Sequence, residues 1–420
     1  MSEASAATAA IIGLGYVGLP LAEAASRHSR VIGFDIDPNV TTGLNAGVSH
    51  VEDIPDAQVS RMLGDGFVAT SQPQDLHDAD VYVICVPTPL SPTGGPDLEA
   101  VKSAGSVVTK GLRPGNLVIL ESTTYPGTTD TVLRPILESS GLTAGEDFNL
   151  AFSPERIDPG NQHYTLGNTP KIVGGLTAAC RDAAFRFYEP FVGSVVLAEG
   201  LREAEMAKLL ENTYRHVNIA LVNELARLGR SLDIDVQDAI RCASTKPFGF
   251  EAFYPGPGVG GHCIPVDPTY LSHHVRAKLG RPFRLIELAQ EINLSMPTYV
   301  VERLRDELDI RGRALSTCRV LLVGISYKSD VADLRETPAS DVVRNLRSFG
   351  AVIEILDPLI DGWEVDGEPL KQVDVSAALD YDATVVLQHH SAVTPEIVLG
   401  SSNLVLDTRA KIRGPHVTYL

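Results

Sequence analysis

The chain has 420 residues, 44% hydrophobic and 21% charged, enough for two or three domains with ordinary cores. With 35 Lys+Arg against 53 Asp+Glu its formal net charge is −18, which argues against nucleic acid or an anionic membrane as main partner but leaves room for a small anion held by a few local cations. Its five cysteines, Cys85, Cys180, Cys242, Cys263 and Cys318, form no CxxC pair, so neither disulfides nor a metal site is expected. Residues 1–10 carry no basic stretch and no apolar run reaches spanning length, and a cytoplasmic protein is expected.

In chain order, a short apolar run ends at Gly13-Leu14-Gly15-Tyr16-Val17-Gly18. A helical stretch follows, and a second strand ends at Asp35, 22 positions after Gly13. A lone GxGxxG means little, but one between strand and helix with an acid at the next strand end predicts a dinucleotide site. Gly13 permits the tight turn, Gly15 lets the backbone approach a pyrophosphate, and Gly18 lets helix pack on strand. The helix start offers N–H groups to phosphate, and Asp35 suits a ribose diol, favouring NAD over NADP.

Residues 81–86 form an apolar run without alternation, as expected of a parallel strand covered on both faces. Pro87-Thr88-Pro89 follow at its C-terminal end, where cofactors bind in open α/β sheets. A further strand at 117–120 leads to Glu121-Ser122-Thr123-Thr124, whose hydroxyls either reach a cofactor or make a turn. After a strand at 149–152, Glu155 is either a solvated acid or an active-site carboxylate.

From Leu201 apolar residues recur at helical spacing, with no Gly or Pro until Gly229, so a long connecting helix is expected, suited to a subunit interface. Lys208 and Asn212, at i and i+4, share one of its faces. Residues 254–270, YPGPGVGGHCIPVDPTY, are too rich in Gly and Pro for a helix interior or a central strand. They predict a loop whose backbone comes close to something. Cys263 and Asp267 in it are either a presented nucleophile with a nearby acid or parts of a surface turn. Helical texture resumes over 282–309. Residues 315–319 are a candidate linker into a second α/β unit, with strands near 319–324, 352–358, 383–387 and 404–407. Between the first two of these, Lys328 and Arg335 either bind phosphate or pair with the interleaved Asp330, Asp333 and Glu336.

Four motifs, GLGYVGLPLA at 13–22, AEMAKLLENTYR at 204–215, GVGGHCIPVDP at 258–268 and YKSDVADLRETPA at 327–339, together resemble the nucleotide-sugar 6-dehydrogenases that act on UDP-glucose and UDP-N-acetylhexosamines. The resemblance implies two Rossmann-like, doubly wound α/β lobes joined by a long central helix and helical domain. The expected parts are an NAD-binding domain at 1–198, a central dimerisation domain at 199–312 and a UDP-sugar-binding domain at 313–420. It implies a four-electron oxidation of a sugar C6 hydroxyl to a carboxylate by two NAD in succession, in a homodimer joined by the central helix.

By position, the resemblance makes Cys263 the nucleophile that forms a thiohemiacetal and then a thioester. Lys208 and Asn212 hold the C6 oxygen, and Thr123, Glu155 and Asp267 handle water and protons. Gly13, Gly15, Tyr16, Val17, Gly18, Asp35, Pro87, Thr88 and Thr123 fall to the cofactor. Glu155, Arg156, Lys208, Asn212, Tyr254, Gly258, Gly260, Gly261, Lys328 and Arg335 fall to the sugar nucleotide, with the backbone at 256–261 against the sugar and pyrophosphate. UDP-glucose enzymes of the family tend to carry a second glutamate four residues after Glu155, where this chain has Pro159. That departure, with Lys246-Pro247-Phe248-Gly249-Phe250 and His262-Cys263-Ile264-Pro265, resembles the N-acetylhexosamine branch, so UDP-GlcNAc or UDP-ManNAc is expected before UDP-glucose. A two-electron hydroxyacid-type dehydrogenase would have no use for Cys263. A non-catalytic NAD- or UDP-sugar-binding module would not need the set Lys208, Asn212, Cys263 and Asp267.

Overall fold

The computed structural model describes residues 7–91, 94–157, 161, 163–261, 264–376 and 380–420. The chain divides into two units, residues 1–211 and 212–420.

The first unit opens with β1 (Thr8–Ile12), α1 (Gly18–Ser26), β2 (Arg30–Phe34), α2 (Pro38–Asn45), α3 (Asp56–Gly64), β3 (Val68–Thr70) and β4 (Val81–Ile84). It continues with α4 (Glu99–Gly111), β5 (Leu117–Leu120), α5 (Arg134–Glu138), β6 (Asn149–Phe152), β7 (Lys171–Gly175), α6 (Ala178–Tyr188) and β8 (Val195–Leu197). Its eight described strands run in the order β3-β2-β1-β4-β5-β6-β7-β8, and all neighbours are parallel except β6 and β7. The strands β4 and β5, VYVI and LVIL, are buried at every residue, because helices cover both faces and no side is left for polar alternation. The two apolar layers on either side of the sheet alternate along β1, with Ala9 and Ile11 in one and Ala10 and Ile12 in the other.

Helix α7 (Leu201–Ser231) carries the chain from the first unit into the second, 31 residues without a break. At 1.5 Å per residue it is about 46 Å long. The second unit adds α8 (Val236–Ala243), α9 (Asp267–Leu279), α10 (Arg284–Ile310), β9 (Arg319–Val323), α11 (Ala339–Ser348) and β10 (Val352–Leu356). It then adds β11 (Trp363–Val365), β12 (Glu368–Gln372), β13 (Ala383–Val386), α12 (Pro395–Leu399), β14 (Val405–Asp407) and β15 (Val417–Tyr419). Its seven described strands run β11-β12-β10-β9-β13-β14-β15, antiparallel only between β11 and β12.

Two expectations change. The candidate linker at 315–319 is no linker: Leu315 and Cys318 are buried in the second core, and β9 starts at Arg319 itself. The loop expected to run to residue 270 ends at Val266, because Asp267 and Pro268 open α9, a place where proline's missing N–H costs nothing.

Candidate functional site

The turn after β1 has the geometry its glycines predict. Gly13 adopts φ +91°, and a Cβ there would lie 2.6 Å from the Cys85 carbonyl oxygen. At Gly18 an added Cβ would meet the Gly13 carbonyl oxygen at 1.8 Å. Gly15 differs, with nothing within 4 Å of the added atom, so the space a pyrophosphate needs is open. Helix α1 begins at Gly18 with no side-chain cap, leaving its positive end to an anion. Asp35 is partly buried. One carboxylate oxygen accepts the Leu14 N–H at 3.0 Å and the other the Asp37 N–H at 2.9 Å, which ties the acid to the glycine turn. Tyr16 is 44% exposed, and Val17 is partly buried.

At the same sheet edge, the loops after β4 and β5 are joined. Thr88 Oγ1 donates to the Thr123 carbonyl at 2.8 Å, and Ser122 Oγ donates to the Val86 carbonyl at 2.7 Å. Thr88 is buried, Thr123 half-buried and Pro87 exposed. These residues fit a dinucleotide lying over the carboxyl ends of the strands, with Gly15 left clear for its phosphates.

Below that edge lies a cluster of buried charge. Glu121 ends the β5 run, fully enclosed, and Glu155 follows β6 at 7% exposure. Lys171 opens β7 at 2% exposure, with its Nζ bonded to Glu121 and 3.3 Å from Glu155 Oε2. Tyr188, the last residue of α6, donates its hydroxyl to Glu121 at 2.7 Å. Glu155 also accepts the backbone N–H groups of Arg156 and Ile157.

Burial pushes the Glu121 carboxyl up to about 7 although Lys171 opposes it. At Glu155 burial acts in the same direction, but the charge of Lys171, the hydrogen bond with Glu121, the Ile157 N–H and the charge of Lys208 outweigh it, so its carboxyl sits below the usual range. Burial pushes the Cys85 thiol up, and the carboxylate of Glu121 adds to this, so Cys85 is an inert core thiol. Arg156 pairs with Glu211 at 2.8 Å and donates to the Pro170 carbonyl at 2.6 Å.

In the second unit Asn212, on α7, donates to Asp267 Oδ2 at 2.5 Å, with both side chains buried. Lys208, also buried, stands one turn before Asn212 on the same helix. A ladder of amides holds the start of the glycine loop. The Gly256 N–H donates to Asn223 Oδ1 (2.9 Å), Asn223 Nδ2 to Asn293 Oδ1 (2.9 Å), and Asn293 Nδ2 to the His216 carbonyl (3.2 Å).

The loop's glycines face protein on the Cβ side. A Cβ at Gly256 would meet the Arg409 guanidinium at 2.5 Å, and one at Gly258 would meet the Pro338 side chain at 3.1 Å. At Gly260 and Gly261 an added Cβ would strike Tyr327, at 2.7 Å in both cases. The Gly261 N–H donates to the Arg335 carbonyl at 3.0 Å. Close approach to the 327–338 loop is therefore one reason these positions lack side chains. Cys263, with His262 before it, and Pro159 lie outside the described residues. Tyr254 is 49% exposed.

Arg335 is held by Asp333 through a bidentate ion pair. Lys328 lies on a loop closed by Ser326 Oγ, which donates to the Lys328 carbonyl at 2.9 Å. The acid that ends β10, Asp357, takes the N–H groups of Ile325 and Ser326 on Oδ2, at 2.8 and 3.2 Å, and that of Leu359 on Oδ1, at 3.0 Å. His390 Nε2 closes over it at 3.2 Å while His390 Nδ1 accepts the Asp330 N–H at 3.1 Å. His216 is buried with neither ring nitrogen hydrogen-bonded, beside a cavity of about 280 Å³ also bordered by Gly258, Asn293 and Thr337.

Sequence reasoning missed Lys171, Glu121, Arg409, Asn223 and Asn293. A signal existed for some: Glu121 ends a wholly apolar strand run, and Asn223 interrupts the apolar stretch IALVNEL.

Comparison with known proteins agrees with this layout. The NAD binding domain of the UDP-glucose/GDP-mannose dehydrogenase family matches residues 7–192, its central domain residues 202–295 and its UDP binding domain residues 321–413. The UDP-N-acetyl-D-glucosamine 6-dehydrogenase of Salmonella typhi is 37% identical over 387 residues, 91% of this chain and 89% of its own. The UDP-N-acetyl-D-mannosamine dehydrogenase of Campylobacter jejuni is 38% identical over 397 residues, 90% of this chain and 94% of its own. The solved UDP-D-ManNAc dehydrogenase of Pyrococcus horikoshii matches with a TM-score of 0.88 at 34% identity, over 98% of each chain. With all three domains matched in order, the chain belongs to the UDP-glucose/GDP-mannose dehydrogenase family and is an NAD-dependent oxidoreductase of nucleotide sugars.

Proposed function

We propose that the protein oxidises the C6 hydroxyl of a UDP-N-acetylhexosamine, UDP-GlcNAc or UDP-ManNAc, to the uronate. Overall, one alcohol, two NAD⁺ and one water give one carboxylate, two NADH and three protons. Each of two NAD⁺ in succession, when bound, would supply an acceptor for one hydride, the first leaving the alcohol and the second the thiohemiacetal. Cys263 supplies the thiolate that captures the aldehyde and holds the acyl group as a thioester until water releases it. Lys208 and Asn212 stabilise charge on the C6 oxygen, and Thr123, Glu155 and Asp267 position water and move protons. Arg156, Tyr254, Lys328, Arg335 and the backbone of Gly258, Gly260 and Gly261 hold the sugar nucleotide.

The observation that carries this reading is the buried bond from Asn212 to Asp267, four residues after Cys263. It fixes a polar side chain of α7 against the end of the cysteine loop. The N-acetylhexosamine preference rests on relatives at 37% and 38% identity whose substrates are UDP-N-acetyl sugars. We assign residues 1–198 to NAD, 199–312 to dimerisation and the cysteine loop, and 313–420 to the nucleotide. The three family matches, each inside one of these ranges, support the division.

A homodimer joined through α7 accounts for the exposed Tyr214, Leu221, Leu225 and Leu228, which recur on one helical face. Among the described residues no helix is long and apolar enough to cross a membrane. A cytoplasmic setting suits cysteines that are free wherever they are described. The test is the number of NADH formed per sugar, with UDP-GlcNAc, UDP-ManNAc and UDP-glucose in parallel. Two NADH per sugar, fastest with an N-acetyl substrate, is expected. One per sugar would remove the thioester route, and a preference for UDP-glucose would remove the substrate assignment.

A further inference from the structure

We propose that Lys171, backed by Glu121, is a positioning residue for Glu155: an internal counter-charge that keeps the Glu155 carboxylate ionised and aimed at the sheet edge. This rests on the role given to Glu155 above.

The placement follows from topology. Strand β7, with β8 parallel beside it, runs against the other six described strands of its sheet, and its register pairs Phe152 with Gly174. Extended three residues beyond that pair, the register sets Lys171 opposite Glu155. A parallel β7 would have left its first residue at the far end of the sheet. The reversed strand instead delivers an ammonium to the carboxyl edge, where α/β sheets bind their ligands.

The groups facing one another there are Cys85 after β4, Glu121 after β5, Glu155 after β6, Lys171 on β7, Tyr188 on α6 and Lys208 on α7. Hydrogen bonds run in one chain: Tyr188 to Glu121, then Lys171 to Glu121 and to Glu155. Two carboxylates sharing one ammonium, all nearly solvent-free, cost stability that well-packed apolar residues would not. The second carboxylate makes sense as a device. Glu121 anchors Lys171 from behind, so that the Lys171 charge is fixed in place rather than free to swing toward solvent. The lowered Glu155 and raised Glu121 carboxyls agree with that division.

The experiment is the pH profile of kcat/KM for NADH formation by the full chain with its best UDP-sugar, for wild type, Glu121→Gln, Lys171→Met and Lys171→Arg. Removing the ammonium makes Glu155 harder to ionise, so Lys171→Met moves the acid limb up by about one pH unit or more. KM for the sugar stays within about twofold, as the sugar-binding groups are untouched, and Lys171→Arg restores most of the limb. Glu121→Gln, nearly isosteric, matches the neutral carboxyl that Glu121 presents below about pH 7 and leaves the limb in place. If Lys171→Met does not fold, Lys171→Gln decides by the same upward shift. Acid limbs of the variants lacking the Lys171 charge that stay in place, with only melting temperature changed, would overturn the proposal. Glu155→Gln separates the two claims. Full activity there removes the role of Glu155 itself, whereas an inactive Glu155→Gln with unmoved limbs removes only the role of Lys171.

Discussion

Asn212 donates to Asp267 across 2.5 Å, joining the middle of α7 to the first residue of α9 over 55 positions of sequence. Both groups are buried, so removing the acceptor leaves an amide with an unmet donor, a cost of about 1–3 kcal/mol. Asp267→Ala is expected to lower kcat about a hundredfold or more and to lower the melting temperature, while NAD affinity is unchanged. Steady-state kinetics with thermal unfolding checks this. Unchanged kcat would refute the assignment of Asp267 to proton handling.

Asp35 holds the Leu14 N–H on one oxygen and the Asp37 N–H on the other. If Asp35 faces the ribose diol as assigned, its charge, where a 2′-phosphate would sit, sets the preference for NAD over NADP. Asp35→Ser should reduce that preference, as a ratio of kcat/KM values, by about tenfold or more, one lost charge repulsion being worth over 1 kcal/mol at short range. A ratio unchanged in the variant would place the discrimination elsewhere.

Two glycine replacements should behave in opposite ways. Gly261→Ala puts a methyl 2.7 Å from the Tyr327 ring on a residue at φ +85°. A loss of about 1–3 kcal/mol by denaturant unfolding is expected. Gly15→Ala meets nothing within 4 Å, so the apo protein should unfold within about 0.5 kcal/mol of wild type. Its NAD affinity should fall, because the methyl fills the space left for the pyrophosphate. Equal NAD binding by calorimetry would show that the dinucleotide does not cross Gly15.

Burial lowers the His216 imidazole to about 4. Between pH 6.5 and 4 the unfolded chain binds a proton there that the folded chain refuses, so this group makes stability rise with pH across the window. The whole effect is about 3 kcal/mol. Glu121, raised to about 7, gives the opposite slope over pH 4.5 to 7, so the comparison must be by difference. Wild type minus His216→Phe in urea unfolding should lose stability as pH falls from 6.5 to 4. A difference flat with pH would mean the imidazole is solvated.

Five strands of the first sheet, β1, β2, β4, β5 and β6, were readable because their runs are largely apolar and their punctuation is chemical: Gly13, Gly18 and Asp35 announce strand, turn and strand end. The short β3 and β8 and the lysine-led β7 were not. Strand β12 was not readable either, since its exposed residues, Glu368, Pro369, Lys371 and Gln372, leave only Leu370 to signal a buried face. Lys208 and Asn212 were found because helical spacing is local. Lys171 could not be found that way, as its partners lie 50 and 16 residues distant and meet it only through an antiparallel register. The amide ladder from Gly256 through Asn223 and Asn293 to His216 was hidden for the same reason. A single Asn on a helix says nothing of a second one 70 residues on.

The second sheet repeats the corner of the first and then closes it. Gly324, at φ +71°, donates its N–H to the Leu356 carbonyl just as Gly13 donates to Phe34, and Asp357 takes the next N–H as Asp35 does. There the likeness stops, for Asp357 is 1% exposed and His390 lies across it. No ribose diol can approach that acid, so among the described residues only the first sheet keeps a seat for a dinucleotide, and a binding titration should saturate at one equivalent. An oxidation that consumes two must empty and refill the same seat halfway through, while the half-oxidised sugar waits. On the route proposed above, the covalent tether on Cys263 is a timing device. It keeps the intermediate aboard during the changeover, and the exchange of spent for fresh coenzyme becomes a step that can limit turnover.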